Sequence, residues 1–141
     1  MVSQVTSHPS AAYQTQDPYL PKNLNTFKKL AYIPVIGSLI CGILLKKLEK
    51  GLKAIPEHDL VSRVKILKHV RDVNKAQVFQ AALTASLAVM AAVVSAVSLS
   101  VFGIIMGAVG LGVSALLLAR SIKNLENTNR ELKETERLIH P

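Results

Sequence analysis

The feature that most constrains this chain is a stretch without a single charged side chain, which runs from Ala76 to Ala119. One helix of that length would extend about 66 Å, roughly twice the hydrocarbon thickness of a bilayer. Two helices of about 20 residues would each match that thickness. The segment from Ser98 to Gly103, where Ser and Gly cluster, divides the stretch almost evenly. A buried hairpin in a soluble protein is the alternative, but soluble helices nearly always carry a polar stripe. The stretch therefore predicts a transmembrane hairpin over residues 76–119.

Basic residues flank this stretch on both sides. Arg71 and Lys75 precede it, and Arg120 and Lys123 follow it, whereas the connecting turn carries no charge. Positively charged flanks stay on the cytosolic side of a membrane. We therefore expect both termini to face the same cytosol.

The N-terminal region, residues 1–28, is rich in Ser, Thr and Gln and contains three prolines. This composition is too polar to form a core and predicts disorder. It lacks the early positive charge and apolar run of a cleaved Sec signal peptide. Two interpretations remain, a flexible terminus and an uncleaved signal for type III secretion.

Residues 29–75 combine a short apolar segment with basic amphipathic helices. The apolar run from Leu30 to Leu45 is shorter than the roughly 20 residues of a spanning helix and contains Pro34. We expect it to be embedded in the membrane without crossing it. After it, Leu45, Leu48 and Leu52 share one face of a helix that Pro56 ends, and Asp59 is placed to cap a second helix reaching about Lys75. These helices either lie on the membrane surface or pack on each other as a small cytosolic cap.

The positive charge of the chain is concentrated in the same region. Residues 22–75 carry twelve Lys or Arg against four acidic residues, out of a net charge of +8 for the whole chain. A basic block beside membrane segments favours anionic lipid headgroups over nucleic acid as its partner. The residues expected to contact headgroups are Lys46, Lys47, Lys50, Lys53, Arg71, Lys75, Arg120 and Lys123.

Small residues recur at four-residue spacing in both halves of the charge-free stretch. In lipid, such residues let helices approach closely. We expect the two helices to pack through Ala88, Ala92, Ala96, Gly103, Gly107 and Gly110. The same residues leave homo-oligomerisation open as an alternative.

The tail, residues 120–141, continues a four-three alternation that begins at Leu118. The alternation indicates a heptad-patterned helix, although Asn129 and Glu136 interrupt its apolar seam. The tail is either a solvated helical stem or a docking helix for a partner. The residues expected to dock a partner are Ile122, Leu125, Asn129, Leu132 and Ile139.

The sequence contains no recognisable arrangement of catalytic, cofactor-binding or metal-ligating residues. The four histidines are scattered without Cys or His at metal-binding spacing. The glycines of residues 103–112 lack the Lys and Ser or Thr of a phosphate-binding loop. We therefore expect a non-enzymatic protein that binds no cofactor and no metal.

The combination of a polar N-terminus, a basic juxtamembrane region, a bilobed apolar stretch and a helical tail resembles the chlamydial inclusion membrane (Inc) proteins. The segment Tyr32-Ile-Pro-Val-Ile-Gly37 is also similar to an Ile-Pro-x-Ile-Gly element of Chlamydiales membrane proteins. The resemblance covers residues 76–119 closely and the flanks loosely. The chain departs from the expected pattern of membrane anchors because it has no Trp.

The resemblance implies a type III secreted effector in the membrane of the host vacuole, the inclusion. Both termini would face the host cytosol, and the cytosolic helices would act as a non-catalytic tether or scaffold for host or bacterial proteins. The sequence leaves two alternatives, a holin-like pore-former and a structural protein of the bacterial inner membrane. The predicted fold is thus an all-α membrane protein: a transmembrane hairpin with short amphipathic helices before it and a helical cytosolic tail.

Overall fold

The computed structural model describes residues 17–98 and 100–140 and is all-α over these residues. Four helices hold 84% of them, and the described residues contain no strand. The helices are α1 (Leu24–Leu30), α2 (Ile36–Ala54), α3 (Leu60–Val97) and α4 (Val101–Ile139). The predicted all-α class is therefore confirmed for this part of the chain. The proposed secretion signal lies largely in residues 1–16, outside the described residues.

The predicted apolar run, Leu30 to Leu45, is divided: it begins at the end of α1, passes through the non-helical residues 31–35 and continues as the first half of α2, which also contains the first amphipathic helix. α2 begins at Ile36, directly after Pro34 and Val35, and continues to Ala54. Leu44 and Leu48 are buried, and Lys46, Lys47 and Lys50 are exposed, as the predicted helical face requires. Disorder was predicted as far as residue 28, but α1 begins at Leu24 because Leu24 and Phe27 pack against the core.

The start of α3 was predicted correctly, but its length was not. The Asp59 carboxylate accepts a hydrogen bond from the Ser62 backbone N–H at 3.1 Å, which caps the helix. α3 then continues through Lys75 to Val97, and α4 likewise continues through Arg120 into the tail. The boundaries drawn at 75/76 and 119/120 thus mark a change of side-chain chemistry within two continuous helices.

α3 is the central element, with other helices packed against it. α2 runs antiparallel to it, with Gly37 beside Gln80 and Gly51 beside Ile66. Buried apolar side chains of α1, α2 and the first half of α3 form the core. α4 also lies antiparallel to α3, as Gly107 lies against Ala92 and Asn74 bonds to Thr128. Of the two arrangements left open for the amphipathic helices, the structure contains the one in which they pack on each other.

Candidate membrane interface

The charge-free halves of α3 and α4 expose large apolar side chains over most of their surface. Only 6% of the most apolar window of each helix is buried, whereas the core helix of a soluble protein is mostly buried. Both helices are long and apolar enough to cross a membrane. At 1.5 Å per residue, residues 76–97 extend about 33 Å and residues 101–119 about 28 Å, close to the hydrocarbon thickness of a bilayer. These two helices are compatible with a membrane-associated protein. Their large exposed side chains include Leu87, Met90, Val93, Val94, Val97, Val101, Phe102, Ile105, Met106, Val109, Val113 and Leu116.

Several hydroxyl groups in these halves bond to their own helix. The hydroxyls of Thr84, Ser86 and Ser95 donate to the carbonyl four residues earlier, at 2.8 to 3.0 Å. Ser100 caps α4 by accepting a hydrogen bond from the Gly103 backbone N–H at 3.2 Å. Because lipid offers no hydrogen-bond partners, polar groups must be satisfied in this way where water is excluded.

The predicted small-residue contact between the helices involves some of the named residues and not others. A Cβ atom placed on Gly107 would lie 3.1 Å from Ala92, and one on Gly103 would lie 2.9 Å from Ser95. Ala88 is half-buried, whereas Ala96 is exposed. A Cβ atom on Gly110 would have no neighbour within 4 Å. The close approach is therefore centred on Gly107 and Ala92.

The face of α4 that packs on α3 carries hydroxyl-bearing residues every seven positions, at Ser114, Ser121, Thr128 and Thr135. All four are buried, and Thr128 accepts a hydrogen bond from the Asn74 amide at 2.9 Å. Small side chains at this spacing allow two long helices to stay in contact along their length. Sequence reasoning missed this seam, because it followed Ala and Gly at four-residue spacing in the charge-free stretch and apolar residues in the tail, and neither pattern contains these hydroxyl-bearing residues.

The residues predicted to dock a partner do not share one surface. Leu132 is buried against the rest of the protein, whereas Ile122 is exposed and Leu125, Asn129 and Ile139 are half-buried. Ile122, Leu125 and Asn129 line a shallow groove of about 620 Å³ on α4 together with charged side chains. The accessible part of the predicted docking surface is therefore this groove. Leu132 is buried and does not belong to it.

The corner between α1 and α2, residues 31–35, forms a second exposed apolar surface. Val35 has φ 71° and ψ −54°, and the Ile36 N–H donates to the Pro34 carbonyl at 2.9 Å, so the tip is a γ-turn. Positive φ is a strained conformation for a β-branched residue. Val35 is nevertheless 89% exposed, and Tyr32, Ile33, Ile36 and Leu39 around it are exposed as well.

Gln80 fastens this corner to α3. Its side-chain amide donates to the carbonyls of Ala31 and Ile33, at 3.0 and 3.1 Å, and the residue is only 5% exposed. The rings of Tyr32 and Phe79 also meet, with 5.7 Å between their centroids. These contacts join the corner to the start of the charge-free half of α3.

The residues predicted to contact headgroups lie at different heights along the molecule. Arg120 and Lys123 are exposed where the charge-free part of α4 ends, and Lys75 is exposed on α3. Arg71 is half-buried, and its Nε atom is buried without a partner. The four lysines of α2 lie on the half of that helix that leads away from Gln80, so Lys53 is farthest from the charge-free residues.

A charged cluster holds α1 against α3 on the side of the termini. The Lys28 ammonium lies 2.6 Å from the Asp72 carboxylate and 3.3 Å from Nδ1 of His69. Burial lowers the pKa of His69, and the charge of Lys28 lowers it further, although Asp72 acts in the opposite direction. The neutral imidazole is therefore the form that suits this contact.

The described residues contain no group of three or more His, Cys, Asp or Glu side chains that could hold a metal ion. Comparison of the chain with protein-family models, with curated proteins and with solved structures found no match.

Proposed function

We propose that α3 and α4 form a transmembrane hairpin which anchors this protein in a host vacuole membrane after type III secretion. In this proposal both termini face the host cytosol. The cytosolic half of the bundle acts as a non-catalytic tether or scaffold for host or bacterial proteins. Anionic lipid headgroups contact the exposed basic residues where the chain leaves the membrane.

The observation that carries the membrane part of the proposal is the exposed apolar surface of the hairpin. Monomeric soluble proteins rarely expose contiguous apolar patches of more than a few hundred Å². Here large apolar side chains surround both helices over about 30 Å, and the hydroxyls of Thr84 and Ser95 among them bond within α3. A bilayer would cover the apolar side chains, and it would require the hydroxyl groups to bond within the protein.

The tether part of the proposal is supported by the far half of α4. Its groove around Ile122 and Asn129 is bordered by charges of both signs, among them Glu126, Arg130 and Lys133. Apolar and amide groups flanked by both signs of charge suit a partner helix, as in a coiled coil.

The secretion and localisation part can be tested in two steps. Residues 1–30 fused to a reporter should be exported by a type III apparatus, and the same reporter without them should be retained. In infected cells, antibody to the tail should reach the inclusion membrane when only the host plasma membrane is permeabilised. Retention of the fusion or an inaccessible tail would contradict this part of the proposal.

A pore-forming function is distinguished by a separate outcome. Induced synthesis of the full chain in bacteria should leave the cells intact if it is a tether. Abrupt lysis after induction would instead support the holin-like alternative.

A further inference from the structure

The α1–α2 corner exposes a cluster of large apolar side chains at one end of the charge-free hairpin. Val35 at its tip is β-branched, strained and almost fully exposed. An exposed tight turn in water normally uses Gly or Asn at positive φ, since these residues adopt that conformation at low cost. A valine is better suited to a tip that lies in an apolar medium.

The height of the corner follows from its contacts. Gln80 binds the Ala31 and Ile33 carbonyls, which fixes the corner at the level of Gln80 on α3. Because Ala92 lies against Gly107 and Asn74 against Thr128, Gln80 lies at about the level of Arg120 on α4. The corner thus lies where the charge-free surface meets the charged one, which is the headgroup and upper acyl region of a bilayer.

Tyr32 and Phe79 support the same height. Tyr and Trp are enriched at membrane–water interfaces, because their rings are amphipathic. The Tyr32 ring contacts the Phe79 ring beside the corner, with 5.7 Å between their centroids.

Backbone carbonyls of the corner accept hydrogen bonds from within the protein, as a low-water environment requires. Residues 31–35 are not helical, so their carbonyls need partners from elsewhere. The Gln80 amide donates to the Ala31 and Ile33 carbonyls, and the Ile33 carbonyl also accepts from the Gly37 N–H. The Pro34 carbonyl accepts from the Ile36 N–H, and the Val35 carbonyl accepts from the Ser38 hydroxyl. Non-helical backbone at membrane depth requires such satisfaction.

We propose that the α1–α2 corner inserts into the leaflet on the side of the termini and gives the protein a wedge-shaped cross-section. This inference rests on the proposed transmembrane hairpin. At the level of Gln80 the described residues place three segments side by side, whereas only α3 and α4 reach the Ser98 end. The protein therefore occupies more area in one leaflet than in the other. It favours membranes that are convex toward the termini, since shallow apolar insertion is sensitive to curvature.

Depth measurements test the insertion. Single cysteines are placed at Val35, Met90 and Lys53 in a Cys41→Ala background, because Cys41 is the only native cysteine. Each cysteine carries a fluorophore in vesicles that contain a lipid with a shallow acyl-chain nitroxide. We expect the lipid nitroxide to quench the label at Val35 and aqueous iodide to quench the label at Lys53. The label at Met90 should be shielded from iodide.

The same experiment separates this inference from the function on which it rests. If iodide quenches Val35 while Met90 remains shielded, the corner is outside the membrane and the wedge is refuted, but the hairpin stands. If iodide also quenches Met90, the transmembrane hairpin itself is refuted.

Curvature preference is tested with membrane tubes pulled from giant vesicles whose outer surface carries the termini. The labelled protein should be denser in the tube than in the vesicle. The double variant Val35→Asn, Leu39→Asn should lose this enrichment. The control Val61→Asn, Leu138→Asn should keep it, because it alters two exposed apolar residues away from the corner. The control is well matched, since Leu39, Val61 and Leu138 are 66%, 69% and 68% exposed.

Circular dichroism should show that the two double variants have equal helix content. Equal tube densities for the two variants would overturn the wedge.

Discussion

At the scale of single residues, Gln80 joins the corner between α1 and α2 to α3. It is a buried amide in an otherwise apolar part of α3, and it donates to two carbonyls almost fifty positions away in sequence. Gln77, one turn earlier, offers a natural comparison, because its side-chain oxygen is buried without a partner.

We predict that Gln80→Leu lowers the free energy of unfolding by about 1–3 kcal/mol, since the Ala31 carbonyl loses its amide donor and the Ile33 carbonyl keeps only the Gly37 N–H. Gln77→Leu should be close to neutral, because it removes an unsatisfied oxygen. Denaturation in detergent micelles measures both effects. Hydrogen exchange should accelerate at the amides of residues 32–37 in the Gln80 variant only. Equal destabilisation by both substitutions would contradict the assigned role.

His69 makes the contact between α1 and α3 dependent on pH. Its pKa is lowered in the folded state from the usual 6.5, mainly by burial and then by Lys28. The unfolded chain therefore takes up the proton first as the pH falls. Stability is complete above pH 6.5 and is lost as the pH falls through the lowered pKa.

We predict that the melting temperature in detergent falls between about pH 7 and about pH 5, and that His69→Gln reduces this fall. The charged groups around His69 are Lys28, Asp72, Lys65 and Asp17. His58→Gln is the control, because His58 is exposed and lies outside this cluster. The same pH dependence in the His69 and His58 variants would show that another group is responsible.

At the scale of elements, features that depend on neighbouring residues could be predicted from the sequence, whereas contacts between distant residues could not. The Asp59 cap could be predicted because a carboxylate and the amide three residues later are neighbours in sequence. The continuity of α3 through Lys75 was missed, since a change from charged to apolar side chains marks a change of surroundings and need not end a helix. The Gln80 bonds were missed because their acceptors lie in a non-helical corner. The only available signal was an amide within an apolar stretch.

The sequence predicted that small residues would form the contact between α3 and α4, but it identified only some of the residues that do so. Spacing alone does not show which of several small residues faces the partner helix, so Gly107 and Gly110 looked equivalent. In the structure they differ, because only Gly107 has a neighbour on α3 where a Cβ atom would be.

We predict that Gly107→Val destabilises the hairpin by about 1–3 kcal/mol, because the added side chain would collide with Ala92. Gly110→Val should be nearly neutral, since a Cβ atom there has no neighbour within 4 Å. Both changes replace Gly by the same β-branched residue within α4, so differences in helix propensity cancel. Thermal unfolding in micelles compares them. Similar losses would mean that α4 does not present Gly107 to α3.

At the scale of the whole molecule, the charge distribution predicts which parts share a side of the membrane. Lys53 and Leu138 lie on the part of the bundle that the proposal places in the cytosol, and Phe102 lies beside the turn between α3 and α4.

We predict that cysteines at Lys53 and Leu138 react with a membrane-impermeant maleimide from the same side, and that a cysteine at Phe102 reacts only from the other. The Cys41→Ala background again removes the native thiol. Labelling before and after permeabilisation of cells that produce the protein provides the measurement. If Lys53 and Leu138 lie on opposite sides, α3 and α4 do not both cross the membrane and the two-span topology is wrong.

In the proposed anchor, α3 and α4 pass from the bilayer into the cytosol without a break in either helix, and this has a mechanical consequence. A partner that pulls on the end of α4 finds no flexible joint along the 39 residues of that helix. The load is transmitted as shear along the hydroxyl-lined seam and is shared with α3. The protein should therefore yield by being extracted from the bilayer as a rigid rod, rather than by stretching at the membrane surface.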